Sequence, residues 1–177
     1  FFGFREDKLM RAHVADGRRF IEQSRQPYDV IFLDAFGSDS VPEHLTTQEF
    51  LQAVRRAVTP GGVVVGNLWG RSANPLYDSM VRTYQEVFDE LLILDVRGAV
   101  NKILLALPRK QPLTQDELTQ LARKVSAAKR FPFDLGDQQY LRRGVKCDDV
   151  AIALDGRQIV FVEPCPTISA DPHVEFT

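Results

Sequence analysis

The run Tyr28-Asp29-Val30-Ile31-Phe32-Leu33, ending in Asp34, constrains this chain most. It is nearly continuous in large apolar residues and is too short for a helix that must bury a face. Runs of this kind belong to strands buried on both faces, as in parallel sheets covered by helices. A second such run, Val63–Trp69, follows Thr59-Pro60-Gly61-Gly62, which reads as a turn. Two buried strands demand helices between and around them, and the intervening residues supply the pattern. Thr46-x-x-Glu49 reads as a capping box, and Phe50, Leu51, Val54 and Val58 form one apolar stripe.

The remaining punctuation extends the alternation. Leu9–Ala15 reads as a short strand, and Arg18–Ser24 as a helix with Asp16 available as its N-cap and Phe20 and Ile21 facing inward. Asn74-Pro75 opens a further helix whose buried face carries Leu76, Met80, Tyr84, Val87 and Phe88. Leu91–Val96 and Lys102–Leu107 are strands joined closely enough to be an antiparallel pair. Alternating strands and helices define a doubly wound α/β layout. The antiparallel ending narrows it to the Rossmann-like, class I methyltransferase-type fold: a mostly parallel sheet with an antiparallel last strand. The expected order sets Tyr28–Asp34 parallel beside Val63–Trp69, then Lys102–Leu107 antiparallel, with Leu91–Val96 at the edge.

Residues 1–110 form this partial nucleotide-binding domain, and 111–177 read as a C-terminal extension. In that extension Thr114-x-x-Glu117 caps a helix with Leu118, Leu121, Ala122 and Val125 inward, and Val150–Val162 reads as a hairpin about Asp155-Gly156. The fold's first strands are expected to lie before Phe1. Phe1-Phe2-Gly3-Phe4 begins in mid-pattern, and no glycine here completes a G-x-G-x-x-G loop. Tyr28–Leu33 should therefore lack one neighbour, unless a second copy pairs with it or Leu9–Ala15 moves inward to fill the gap.

Composition excludes several classes. Hydrophobic residues at 44% and charged residues at 26% describe a globular chain, and a net charge of -2 offers nucleic acid no general attraction. The apolar runs are too short to cross a bilayer. Cys147 and Cys165 read as two reduced thiols, in keeping with a cytoplasmic protein. The three histidines are scattered, so no metal site is expected.

Ligands of open α/β sheets bind beyond the carboxyl ends of the strands. Asp16, Asp34 and Asn67 stand at such ends, and the long Ala35–Leu45 connection carries Asp39, Glu43 and His44. Each has a plainer reading: Asp16 as a helix cap, Asp34 as a strand-end acceptor, Asn67 as a turn residue, and Asp39 and His44 as solvated loop residues.

Together, Ala15-Asp16-Gly17-x-x-Phe20, Tyr28-Asp29-Val30-Ile31-x-x-Asp34, Pro42-x-x-Leu45, Phe50, Pro60-Gly61-Gly62 and Asn67 resemble the spermidine synthases and their spermidine-synthase-like relatives. The resemblance covers about Phe1–Arg109. It implies that Asp16, with Gly17 beside it, accepts a hydrogen bond from the adenine amino group, and that Asn67 belongs to the same nucleotide site. It makes Asp34 the active-site carboxylate and Asp39 a second one. The implied co-substrate is decarboxylated S-adenosylmethionine, with S-adenosylmethionine as the alternative, and the implied acceptor is a polyamine or other small amine. A homo-oligomer, or a segment before Phe1, is expected to complete the site. Two positions depart from the spermidine synthases: Gly37 stands where their second aspartate would be, and the Arg97–Asn101 link has no tyrosine. The acceptor's identity thus stays open. A methyltransferase, or a catalytically silent binding module of the same fold, are the other readings.

Overall fold

The computed structural model describes residues 5–36, 41–96, 98–137 and 141–143. Five strands form one sheet: β1 (Tyr28–Leu33), β2 (Val58–Trp69), β3 (Glu90–Asp95), β4 (Asn101–Leu107) and β5 (Leu141–Arg143), in the order β1-β2-β4-β3-β5. β1 and β2 run parallel, whereas β4 is antiparallel to both β2 and β3. This is the expected Rossmann-like class I arrangement of a mixed sheet with helices. The single change in order is that β5 pairs beyond β3, so β3 is not the edge.

Helices α1 (Gly17–Gln23), α2 (Gln48–Ala57) and α3 (Tyr77–Val87) connect the strands, and α4 (Gln115–Lys129) follows the sheet. One face of the sheet meets α2 and α3 in a continuous core. Val54, Val64 and Leu104 are fully buried there, with Leu51 and Ile93 nearly so. Alternation explains the choice of residues: Val64 pairs with Ala106 and Gly66 with Leu104, so small and large side chains share that face. Arg55 closes the far ends of the two helices, donating to the Val87 carbonyl oxygen at 2.6 Å and to Asp89 at 2.9 Å.

The Thr59–Gly62 turn is present as an irregularity inside β2. The register runs from Tyr28↔Val58 to Val30↔Val63, so two steps along β1 oppose five along β2. Arg109 donates to the Gly62 carbonyl oxygen at 2.7 Å, satisfying a group that the irregularity takes out of the ladder. Gly62 is needed for its size: a Cβ would lie 2.6 Å from the Asp29 carbonyl oxygen and 2.7 Å from a Val58 methyl.

Several local expectations are corrected. Leu9–Ala15 forms no strand; Asp7 instead turns the chain by accepting the Leu9 and Met10 N–H groups, each at 2.7 Å. β1 is consequently an edge strand among the described residues, and it is not buried on both faces: Val30 and Phe32 are 45% and 72% exposed. Phe20 of α1 is likewise exposed, while Ile21 packs against the core. The cap of α2 is Thr47, whose hydroxyl accepts from Phe50 N–H, while Thr46 donates to the Glu43 carbonyl oxygen. α3 starts at Tyr77, because Asn74 accepts the Leu76 N–H within a preceding turn. α4 has the expected capping box, but its apolar stripe is not inward: Leu121 and Val125 are exposed and Ser126 is its buried residue. The hairpin about Asp155 and both cysteines lie outside the described residues.

The contact at Gly62 predicts the effect of a single methyl group. Gly62→Ala must push β1 from β2 or deform the irregularity, and should cost about 1–3 kcal/mol. Chemical denaturation would register this as a lower midpoint with an unchanged slope; an unchanged midpoint would show that the strands have slack there.

Candidate functional site

A cleft of about 440 Å³ runs along the open side of β1, within the range of small-molecule sites. It is lined from both faces of that strand. Val30, Phe32 and Asp34 contribute from one, and Ile31 and Leu33 from the other. Gly17, Phe20 and Ile21 of α1 line it, as do Val41 and Leu45, the last residue of the 3-10 turn Glu43–Leu45. Part of this volume is the unpaired side of a strand that is at the edge among the described residues. Apart from Asp34 and Asn67 the lining is apolar or aromatic, and Asp34 is its one acidic residue among the described residues.

Strand register places Asp34. Leu33 pairs with Gly66, so the next residues, Asp34 and Asn67, stand side by side where β1 ends and β2 continues to Trp69. Asn67 donates its amide N–H to Asp34 Oδ1 at 3.0 Å. Asn101, at the start of antiparallel β4 opposite Trp69, donates in turn to Asn67 Oδ1 at 2.8 Å. The chain Asn101→Asn67→Asp34 thus fixes an exposed carboxylate from behind. Asn67, expected at the nucleotide, lines the cleft and gives its amide N–H to the acid.

Asp16 sits beside Gly17 at the rim of the cleft. Its Oδ1 caps α1 by accepting the Arg19 N–H at 2.9 Å, so the plainer reading of this residue is realised. Its Oδ2 lies 2.9 Å from His44 Nε2. The Arg19 N–H, followed by the His44 contact, holds the Asp16 carboxyl below the usual carboxylate range. His44 is therefore an exposed residue of the connection that has a defined partner at the start of α1.

The structure brings Gly17, Asp34 and Asn67 together in the lining of one cleft, with Asp16 next to Gly17. Asp39 lies outside the described residues. Asn101 and the His44 contact were missed. The only sequence signals were Asn101 at the start of a strand and His44 inside Pro42-x-x-Leu45. Behind the site, Phe36 stacks on Trp69 at 5.4 Å, and Tyr84 lies under Gly66, its phenol pushed up in pKa by burial. Among the described residues, no helix is long and apolar enough to cross a membrane, and no three metal-ligating side chains cluster.

The fold and the strand-end site define a Rossmann-like domain of the class I methyltransferase type. Residues 3–88 match the family model described as the spermine/spermidine synthase domain. Over this segment the chain is similar to the spermidine synthase-like family. It is 33% identical over 144 residues to the polyamine aminopropyltransferase of Vibrio vulnificus, covering 79% of this chain and 47% of that protein. It is 34% identical over 153 residues to the eEF1A lysine and N-terminal methyltransferase of Bos taurus, covering 80% of this chain and 22% of that one. The crystal structure of human methyltransferase-like protein 13 in complex with SAH superposes with a TM-score of 0.64 at 31% identity, covering 75% of this chain and 65% of that chain. The chain spans about half, or less, of the length of these two curated relatives.

The Asp16 contacts carry a pH dependence with a definite sign. A carboxyl whose pKa is lowered by folding stabilises the fold above its unfolded pKa and loses that contribution as pH falls through the folded value. Carboxyl NMR titration should place Asp16 below an ordinary aspartate, and α1 amide signals should shift with the same acid midpoint. An ordinary Asp16 midpoint would contradict the pairing.

Proposed function

We propose that the protein carrying this segment is a transferase that moves an alkyl group from an adenosyl sulfonium to an amine. The reaction we assign first is aminopropyl transfer from decarboxylated S-adenosylmethionine to a polyamine. The observation that carries this reading is Asp34, the one acid in the lining among the described residues, exposed and held by Asn67 and Asn101.

The chemistry needs such a group. An alkylamine is cationic at pH 7, so a carboxylate attracts it. It must also lose a proton before its lone pair can attack carbon. A positioned carboxylate orients the ammonium and accepts that proton. The C–N bond then forms as the C–S bond breaks, and methylthioadenosine leaves as a neutral thioether. Holding amine, carbon and sulfur in line supplies much of the rate. Asp16 and Gly17 are assigned to the adenine edge, Asn67 and Asn101 to positioning Asp34, and Asp39 to a second contact with the amine. In this reading residues 1–110 form the transferase body, 111–177 an accessory extension, and the reaction serves polyamine biosynthesis in the cytoplasm.

A second reading is methyl transfer from S-adenosylmethionine to an amine. It is favoured by the TM-score of 0.64 with human methyltransferase-like protein 13 and by Gly37 where the spermidine synthases carry their second acid. Both reactions share the sulfonium donor and the amine acceptor, and differ in the group moved.

The intact protein should be assayed with each sulfonium donor against putrescine, spermidine and a lysine-containing protein acceptor. Aminopropylated product is expected from the decarboxylated donor. Asp34→Asn should lower turnover by roughly 10²–10⁴-fold while changing adenosyl affinity little. Methylated product alone would select the second reading. No product with either donor would leave a silent module of the same fold, and full activity in the Asp34 variant would remove that carboxylate from the mechanism.

A further inference from the structure

Residue 44 is gripped twice from the start of α1. His44 Nε2 meets Asp16 Oδ2 at 2.9 Å, and Arg18 Nη1 donates to the His44 carbonyl oxygen at 3.3 Å. Arg18 is itself braced by Glu22 at 2.8 Å and reaches the Thr47 hydroxyl, the cap of α2, at 3.5 Å. One side chain and one carbonyl of the same residue are therefore tied to two positions of a single helical turn.

These ties join two elements that both contribute to the cleft. Gly17, Phe20 and Ile21 come from α1; Val41 precedes the turn that holds His44, and Leu45 is its last residue. That turn is closed by Leu45 N–H to the Pro42 carbonyl oxygen at 2.9 Å and Thr46 N–H to the Glu43 carbonyl oxygen at 3.0 Å. It terminates the long connection that leaves Asp34. Asp16 Oδ1 is already committed to the Arg19 N–H, so the His44 contact fixes the second oxygen and with it the rotamer of the whole carboxylate.

We infer that His44 is a positioning residue. Through one bond it sets both the Asp16 carboxylate and the turn at the end of the Asp34 connection, so that the base-binding edge and the acceptor side of the cleft are placed together. The base-binding half rests on the role proposed for Asp16; the tie between the two elements does not. The contribution is geometric rather than one of global stability, because the side chains of both partners are 40–50% exposed (49% for His44, 41% for Asp16). Pairs at that exposure stabilise little.

Two readouts on the intact protein separate these parts. Amide hydrogen exchange at Leu45 and Thr46 should quicken several-fold in His44→Ala, with the global denaturation midpoint unchanged. His44→Gln, which keeps an N–H donor for Asp16, should recover part of the protection. Calorimetry with methylthioadenosine, the adenosyl product of aminopropyl transfer, should show affinity about tenfold weaker in His44→Ala, the size expected for losing one hydrogen bond to a charged group. Unchanged exchange in His44→Ala would overturn the tie. Faster exchange with unchanged affinity would overturn the positioning of Asp16. If the unaltered protein binds no methylthioadenosine, the base-binding half falls with the proposed function, and exchange alone decides the tie.

Discussion

The parallel pairing of β1 with β2 is the constraint on which the site depends. A parallel ladder has one register, and a slip of one residue would exchange the two faces of β1. In the observed register Ile31 meets the α2–α3 core, while Val30, Phe32 and Asp34 lie on the other face with Asn67. The irregularity at Pro60–Gly62 absorbs the surplus residues of β2 without breaking the pairing, and Gly62 permits it because nothing larger fits against Asp29. Asp34 gains its support from Asn67 because the register sets the residue after β1 beside Asn67 of β2.

The fold was legible where patterns were long and repeated. Tyr28–Leu33 and Val63–Trp69 announced themselves as strands by apolar runs, and the antiparallel pair by two such runs with a short link. Prediction failed where one local signal had to choose between neighbours. Thr46 and Thr47 are equally good caps by type, and only the preceding 3-10 turn, which uses the Thr46 hydroxyl, decides for Thr47. Leu9–Ala15 has the composition of a strand, yet a strand needs a partner, and no pattern within seven residues can show whether one is available. The same limit explains α4. Its stripe is amphipathic in sequence, but burial depends on what packs against it, and its documented neighbour is the short turn at Leu135–Asp137.

The site was legible to the extent that strand ends mark it. Asp34 and Asn67 were singled out because open α/β sheets place ligands at strand ends, and Gly17 through the family resemblance; all three line the one cleft. His44 and Asn101 could not be found this way. Asn101 acts from an antiparallel strand whose start, rather than its end, lies at the site level. His44 meets Asp16 across 28 residues, and that pairing exists only once the connection after β1 has folded back over α1.

That long-range tie alters how the carboxylates divide their work. Asp16 already accepts two protein donors, a backbone N–H and an imidazole, and is held ionised by them. A group so committed is well suited to accept a further hydrogen bond from a base edge and poorly suited to take up a proton. Asp34 has a different partner. It accepts from a neutral side-chain amide, so in the proposed reading its oxygens meet a cationic amine and take its proton as attack proceeds. In that reading each acid has surroundings that suit the role assigned to it, Asp34 in the lining of the cleft and Asp16 beside Gly17, which also lines it. An adenosyl sulfonium spanning them would present its base to the first and its electrophilic carbon toward the second. On that proposal the same division would serve aminopropyl or methyl transfer, because both move a carbon from the sulfonium to an amine.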